Sequence, residues 1–192
     1  MEKRQDKFYL YLVWPKYLAQ WFAHEMYRLE RFQEEVEPPY MYNCNVEVEK
    51  LEPVLTRRGS AERNILEMCL QKQPDVVPEL APRDATICIE IPCFVNKPPM
   101  YYNYLGPSGR ELLLETVRNR FRVELIRYMN KVMFEKYHTD GKKVSNEQKV
   151  ATFLDINGIE YNDTNVESVK MLWRRLWKYQ YQKNNRNENT GN

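Results

Sequence analysis

Ala85-Thr86-Ile87-Cys88-Ile89-Glu90-Ile91 is the stretch that decides the fold. Successive side chains of an extended chain point to opposite faces, so Ala85, Ile87, Ile89 and Ile91 line one face and Thr86, Cys88 and Glu90 the other. A β-branched run of this kind needs partner strands and a cover for its apolar side. Both have to come from elsewhere in the chain.

Upstream, Phe8–Val13 is a compact aromatic and β-branched run that reads as a buried strand. Pro15 suits the first turn of a helix, where its missing N–H is no loss. Leu18, Trp21, Phe22, Met26 and Leu29 then recur at helical spacing, which predicts a helix from about Pro15 to Phe32. Glu34–Cys44 is acidic, carries Pro38-Pro39 and Tyr40-Met41-Tyr42, and reads as an inserted loop. Val46 and Val48 alternate with Glu47 and Glu49 ahead of Leu51, Val54 and Leu55, predicting a half-buried strand bent or broken near Pro53. Gly59-Ser60 supplies a turn and an N-cap for a helix from Ala61 to Gln71, with Ile65, Leu66, Cys69 and Leu70 on one side. Pro74, Pro78 and Pro82 mark an extended connection into the opening stretch. The order is β-α-β-α-β, and strands separated by helices favour parallel or mixed pairing in a three-stranded sheet.

Downstream, Pro92 to Pro107 reads as a loop rich in Tyr and Pro, with Tyr101, Tyr102 and Tyr104 close together. Leu112, Leu113, Val117, Phe121, Leu125, Tyr128, Met129 and Val132 then predict one long amphipathic helix over about 108–134. Two shorter helices follow, each opened by a capping box: Ser145 with Gln148, and Thr164 with Glu167. Asn157-Gly158 is a helix stop between them. The fold class is therefore α+β. Residues 1–105 form a sheet-and-helix portion, 106–183 a helical, basic C-terminal portion, and 184–192 a disordered tail.

Hydrophobic residues make up 43% and charged residues 29%, ordinary globular usage. Six glycines are too few for architectures built on glycine-rich cofactor loops, whereas 14 tyrosines suit half-buried surfaces and interfaces. Cys44, Cys69, Cys88 and Cys93 show no C-x-x-C spacing and read as free thiols rather than a disulfide framework. His24 and His138 are far apart, and even a set of Cys88, Cys93 and one histidine lacks zinc-ligand spacing, so no metal is expected. His24, between Ala23 and Glu25, reads as solvated or capping. The chain carries no G-x-S-x-G, P-loop or dinucleotide fingerprint, and neither a catalytic residue nor a cofactor is expected. The run Phe8–Trp14 is too short for a signal-peptide core, and no stretch approaches 18 apolar residues, which makes a cytoplasmic location without membrane contact the expectation.

Net charge is +2, but unevenly placed: residues 1–105 carry 13 Lys+Arg against 16 Asp+Glu, and 106–192 carry 16 against 11. The last helix concentrates the excess. Val166, Val169, Leu172, Trp173, Leu176 and Trp177 form one apolar stripe, beside which Lys170, Arg174 and Lys178 fall at i, i+4 and i+8, with Arg175 adjacent. Such a helix packs one face inward and offers the other to phosphates. The helices over 146–156 and 165–182 are helix-turn-helix-like, although Gly158–Thr164 is longer than the usual turn. Arg57-Arg58-Gly59-Ser60-Ala61-Glu62-Arg63 follows a strand and opens a helix. There Arg57, Arg58, Ser60 and Arg63 could hold an anion against free amides, or simply form a capped turn. Tyr101, Tyr102 and Tyr104 suit a base-stacking platform, a loop pinned to the core or a partner interface.

Tyr101-Tyr102-Asn103-Tyr104-Leu105, Val117-Arg118-Asn119-Arg120-Phe121 and Asn157-Gly158-Ile159-Glu160 resemble stretches of a group of small proteins from Bacteroidetes conjugative elements and prophages, a group without an assigned activity. The resemblance covers the central and C-terminal two-thirds and implies a mobile-element setting, where DNA-binding accessory proteins are common. Charge and resemblance together lead to the expectation of a nucleic-acid-binding accessory or regulatory protein acting through the last helix. The alternatives are a protein-interaction or assembly module, with a homo-oligomer or another protein as partner, and, third, an enzyme with an unfamiliar site.

Overall fold

The structure, a computed structural model, describes residues 7–30, 40–74, 82–134 and 144–189. The expected helix end at Phe32, the loop over 34–39, Pro78, His138 and the last three tail residues lie outside the described residues.

β1 (Tyr9–Leu12), β2 (Pro53–Val54) and β4 (Ile87–Glu90) form a mixed sheet in the order β1-β4-β2. The deciding stretch is its central strand. β4 pairs antiparallel with β1, Leu10 opposite Ile89 and Leu12 opposite Ile87, and parallel with β2, Pro53 opposite Cys88. The α+β order with a helical C-terminal region stands. Ile87, Cys88 and Ile89 are all buried, so β4 is covered on both faces and not on alternate residues only.

Helix α1 (Lys16–Glu30) starts one residue after the expected Pro15, whose carbonyl accepts from the amides of Leu18 (2.9 Å) and Ala19 (3.0 Å). Leu18, Trp21, Phe22 and Met26 are buried as their spacing required. The second expected strand is mostly a different structure. Val48–Lys50 is a 3₁₀ turn, closed by Lys50 N–H donating to the Glu47 carbonyl at 2.8 Å, and it turns Val48 and Leu51 inward together. The apparent alternation was a three-residue repeat, and only Pro53–Val54 pairs.

The loop before it is core material. Tyr42 is buried, and its hydroxyl donates to the Glu52 carbonyl (3.0 Å) and accepts from the Cys88 amide (3.2 Å). Pro53, opposite Cys88, has no N–H to contribute to the ladder. The phenol joins β4 to the chain entering β2 at that gap.

Helix α2 (Ala61–Cys69) ends two residues before the expected Gln71, because β3 (Leu70–Gln71) pairs antiparallel with β5 (Tyr104–Leu105) inside the Tyr- and Pro-rich segment. Lys97 Nζ donates to the carbonyls of Met68 and Leu70, both at 2.9 Å, which satisfies the helix end. Helix α3 (Pro107–Phe134) buries Leu113, Val117, Phe121, Leu125 and Met129, with Phe121 edge-on to Trp21 of α1. Helix α4 (Asn146–Ile156) opens with the expected Ser145–Gln148 capping box, and Gly158 follows it at φ +62°.

Helix α5 (Asp163–Asn189) departs from expectation at both ends. Its cap is Asn162, whose Oδ1 accepts from the Asn165 amide at 2.9 Å, and not Thr164. The Asn165 side chain is buried and donates to Gln20 Oε1 (3.2 Å) and to the Glu160 carbonyl (2.9 Å), which fixes the first turn against α1. The backbone stays helical through Asn189, past the expected end at 182 and through most of the stretch expected to be a disordered tail.

Candidate functional site

Among the basic residues of α5 with described side chains, Lys170, Arg174 and Lys178 recur one turn apart along the helix. Lys170 and Arg174 flank Glu167 on the same helix, at 3.3 and 3.9 Å, so part of their charge is spent locally. Arg174 keeps 70% of its side chain exposed. Lys178 is exposed and has no ion pair among the described residues. Arg175, about 100° further round the helix than Arg174, faces a different neighbourhood. The apolar stripe is also incomplete: Trp173 is buried, whereas Trp177 is 43% exposed and Tyr179 is exposed. Beyond Trp173 the helix presents aromatic and cationic side chains together.

Arg175 enters a cleft of about 440 Å³ between α5, α3 and the start of α1. Its other cationic walls are Arg118 and Arg122, one turn apart on α3, and its floor includes Tyr17 and Phe121. Val117 and Phe121 take the inward face of that stretch of α3, which leaves Arg118 and Arg122 on the rim. Arg118 is paired with Glu115 at 2.6 Å, and Arg122 lies 3.8 Å from the same carboxylate while its Nη1 donates to Asn119 Oδ1 at 2.8 Å. Among the described residues Glu115 is the one carboxylate paired with this trio, and Arg175 has no ion pair. Burial pushes the Tyr17 phenol up from its ordinary value, while Arg118, Arg122 and Arg175 all pull it down. All three guanidinium groups therefore act on one spot.

Arg57, Arg58, Ser60 and Arg63, expected as one anion site, are divided. Ser60 Oγ is taken by the Arg63 amide at 3.2 Å, which makes it the helix cap. Arg57 and Ser60 line a shallow cleft of about 380 Å³ with Arg120, Arg63 lines a larger one of about 510 Å³, and Arg58 borders both. Tyr101, Tyr102 and Tyr104 are divided as well: Tyr101 is exposed, Tyr102 lies half-buried beneath Lys72, and Tyr104 sits in β5. They do not make one flat platform.

His24 is buried, not solvated. The Tyr40 carbonyl 3.0 Å from Nδ1 can only accept, so Nδ1 carries the proton. All four cysteines are free; burial pushes the Cys44 thiol up and that of Cys88 to about 11. Among the described residues no group of His, Cys, Asp and Glu is arranged to hold a metal, and no helix is long and apolar enough to cross a membrane.

The arginine trio was missed in the sequence, although Arg118 and Arg122 stand four residues apart on the outer side of a clear amphipathic helix. Helical spacing pairs them with each other; only the packing of α5 brings Arg175 to them. Comparison with protein-family models, with curated proteins and with solved structures finds no match for this chain.

Proposed function

We propose that this protein binds the phosphate backbone of nucleic acid in the cytoplasm, as an accessory or regulatory factor, with Arg118, Arg122 and Arg175 at the centre of the contact and Lys178 extending it along α5. The convergence of three guanidinium groups from two helices on the Tyr17 cleft carries the reading. With Glu115 their one paired carboxylate, the cleft keeps an excess of positive charge, and guanidinium forks match phosphate oxygens bidentately. Exposed Trp177 and Tyr179, interleaved with Arg174, Arg175 and Lys178, add faces on which unpaired bases can stack. Lys170 and Arg174, paired with Glu167 as Arg118 and Arg122 are with Glu115, add to the contact along α5. A mobile-element setting, implied by the resemblance, supplies a nucleic-acid partner.

The test is fluorescence anisotropy with labelled single- and double-stranded 20-mers between 50 and 200 mM salt. Binding is expected to weaken steeply with salt. Arg118→Ala, Arg122→Ala and Arg175→Ala together should flatten the log–log slope by roughly 3, about one unit for each phosphate contact removed. Lys170→Ala with Arg174→Ala should flatten it less. Absence of binding at 50 mM salt, or an arginine triple variant that binds like the wild type, rejects the reading. The partly exposed Trp177 and Met171 support a second one, self-assembly through α5. A concentration-dependent dimer in light scattering, combined with no nucleic-acid binding, would favour it.

A further inference from the structure

A cleft of about 510 Å³ opens where β2 turns into α2 and shares no lining residue with the Tyr17 cleft. Its cations come from three separate segments: Lys7 ahead of β1, Arg58 in the turn, and Arg63 in the first turn of α2. Among the described residues Glu90 of β4 is the one acid on its wall, and it is paired with Lys7 at 2.9 Å. Arg63 is fixed in place. Its Nη1 donates to the Thr56 carbonyl at 3.3 Å, and its guanidinium lies over the Phe94 ring, 5.4 Å from the centroid. Arg58 has no hydrogen bond or ion pair among the described residues.

Thr56 adds an independent observation. It lines the same cleft and is only 5% exposed, and its hydroxyl has no hydrogen-bond partner among the described residues. A buried hydroxyl left unpaired opposes folding, and a valine of the same shape would avoid the penalty. A polar group retained at such a place points to a partner that binds there. The remaining wall is apolar, built from Phe8, Ile91, Pro92 and the Pro98–Met100 segment.

We propose that this cleft binds a small organic phosphate monoester. Arg58 and Arg63 take the head group, the Thr56 hydroxyl donates to one of its oxygens, and the proline-lined wall covers its carbon portion. Among the described residues, three cations against one carboxylate leave an excess that matches a dianion better than a carboxylate, for which one guanidinium fork suffices. The volume lies within the range of small-molecule sites, roughly 300–1,000 Å³.

The experiment is calorimetric titration of the full chain with phenyl phosphate, inorganic phosphate and benzoate, each paired with thermal unfolding. Phenyl phosphate should bind saturably and more tightly than the other two. Arg58→Ala and Thr56→Val should each weaken it about tenfold, the size of one charge-assisted hydrogen bond, and Thr56→Val should keep or raise the melting temperature. That last combination separates a ligand-binding hydroxyl from a structural one. No saturable binding overturns the proposal, as does phenyl phosphate binding that neither substitution changes. Inorganic phosphate binding as tightly removes the apolar wall from it, and benzoate binding as tightly rejects the phosphate assignment. The Arg118, Arg122 and Arg175 variants should leave the titration unchanged, so failure here and failure of nucleic-acid binding are distinguishable.

Discussion

A methyl group added at position 158 would lie 2.3 Å from the Tyr40 carbonyl oxygen and 2.7 Å from Nδ1 of His24, on a backbone with φ +62° that L side chains rarely adopt. Gly158→Ala is therefore expected to destabilise the fold by at least ~2 kcal/mol, read as a lowered urea midpoint at unchanged m-value. That Asn157-Gly158 stops a helix was legible in the residue types. That α1 and the Tyr40 loop close over it was not, because the contacting atoms are more than a hundred residues away in sequence. His24 raises a separate expectation. Burial lowers its folded pKa below the ordinary 6.5, outweighing the Tyr40 bond and Glu25, which act the other way, while Arg28 lowers it a little further. The unfolded chain then binds the proton more readily. The stabilisation from neutral His24 is complete above about pH 6.5 and is lost as pH falls toward the folded value. Denaturation curves between pH 7.5 and 5 should show stability falling by up to about 1.4 kcal/mol per unit from this residue. His24→Gln should remove that part of the slope; an unchanged slope would mean the acid sensitivity lies elsewhere.

Helices α1, α2 and α3 are joined at a buried polar point. Arg120 of α3 donates to the fully buried Glu62 of α2 (2.5 Å) and to Glu25 of α1 (3.3 Å), and its guanidinium lies 5.7 Å from the centroid of the Trp21 ring. Arg120→Ala would strand a buried carboxylate, at a cost of about 3–5 kcal/mol. Replacing both partners, Arg120→Met with Glu62→Leu, should cost less than the single change, since no unpaired charge remains; chemical denaturation of the two variants checks the ordering. The long elements were legible because their apolar residues recur over three or more turns. The two-residue strands β3 and β5 and the 3₁₀ turn at Val48–Lys50 were not, because so few residues carry no period that separates strand from turn.

At the scale of the whole molecule, charge follows packing more than sequence order. Lys170, Arg174 and Lys178, with Arg175 adjacent, suggested one basic ridge, yet Glu167 pairs with two of them and Arg175 joins arginines of α3 some fifty residues earlier. Similarly, Arg58 and Arg63 meet Lys7 across the sheet while Arg57 and Ser60 face elsewhere. Sequence by itself determined the α+β class, the strand at Ile87–Glu90, the five helices and several of their caps, since these depend on local periodicity and on hydrogen bonds between residues three or four apart. Tertiary structure alone decided which cations share a cleft and which hydroxyl is left unpaired. Those are distances between segments remote along the chain, and they exist only once the apolar faces have packed.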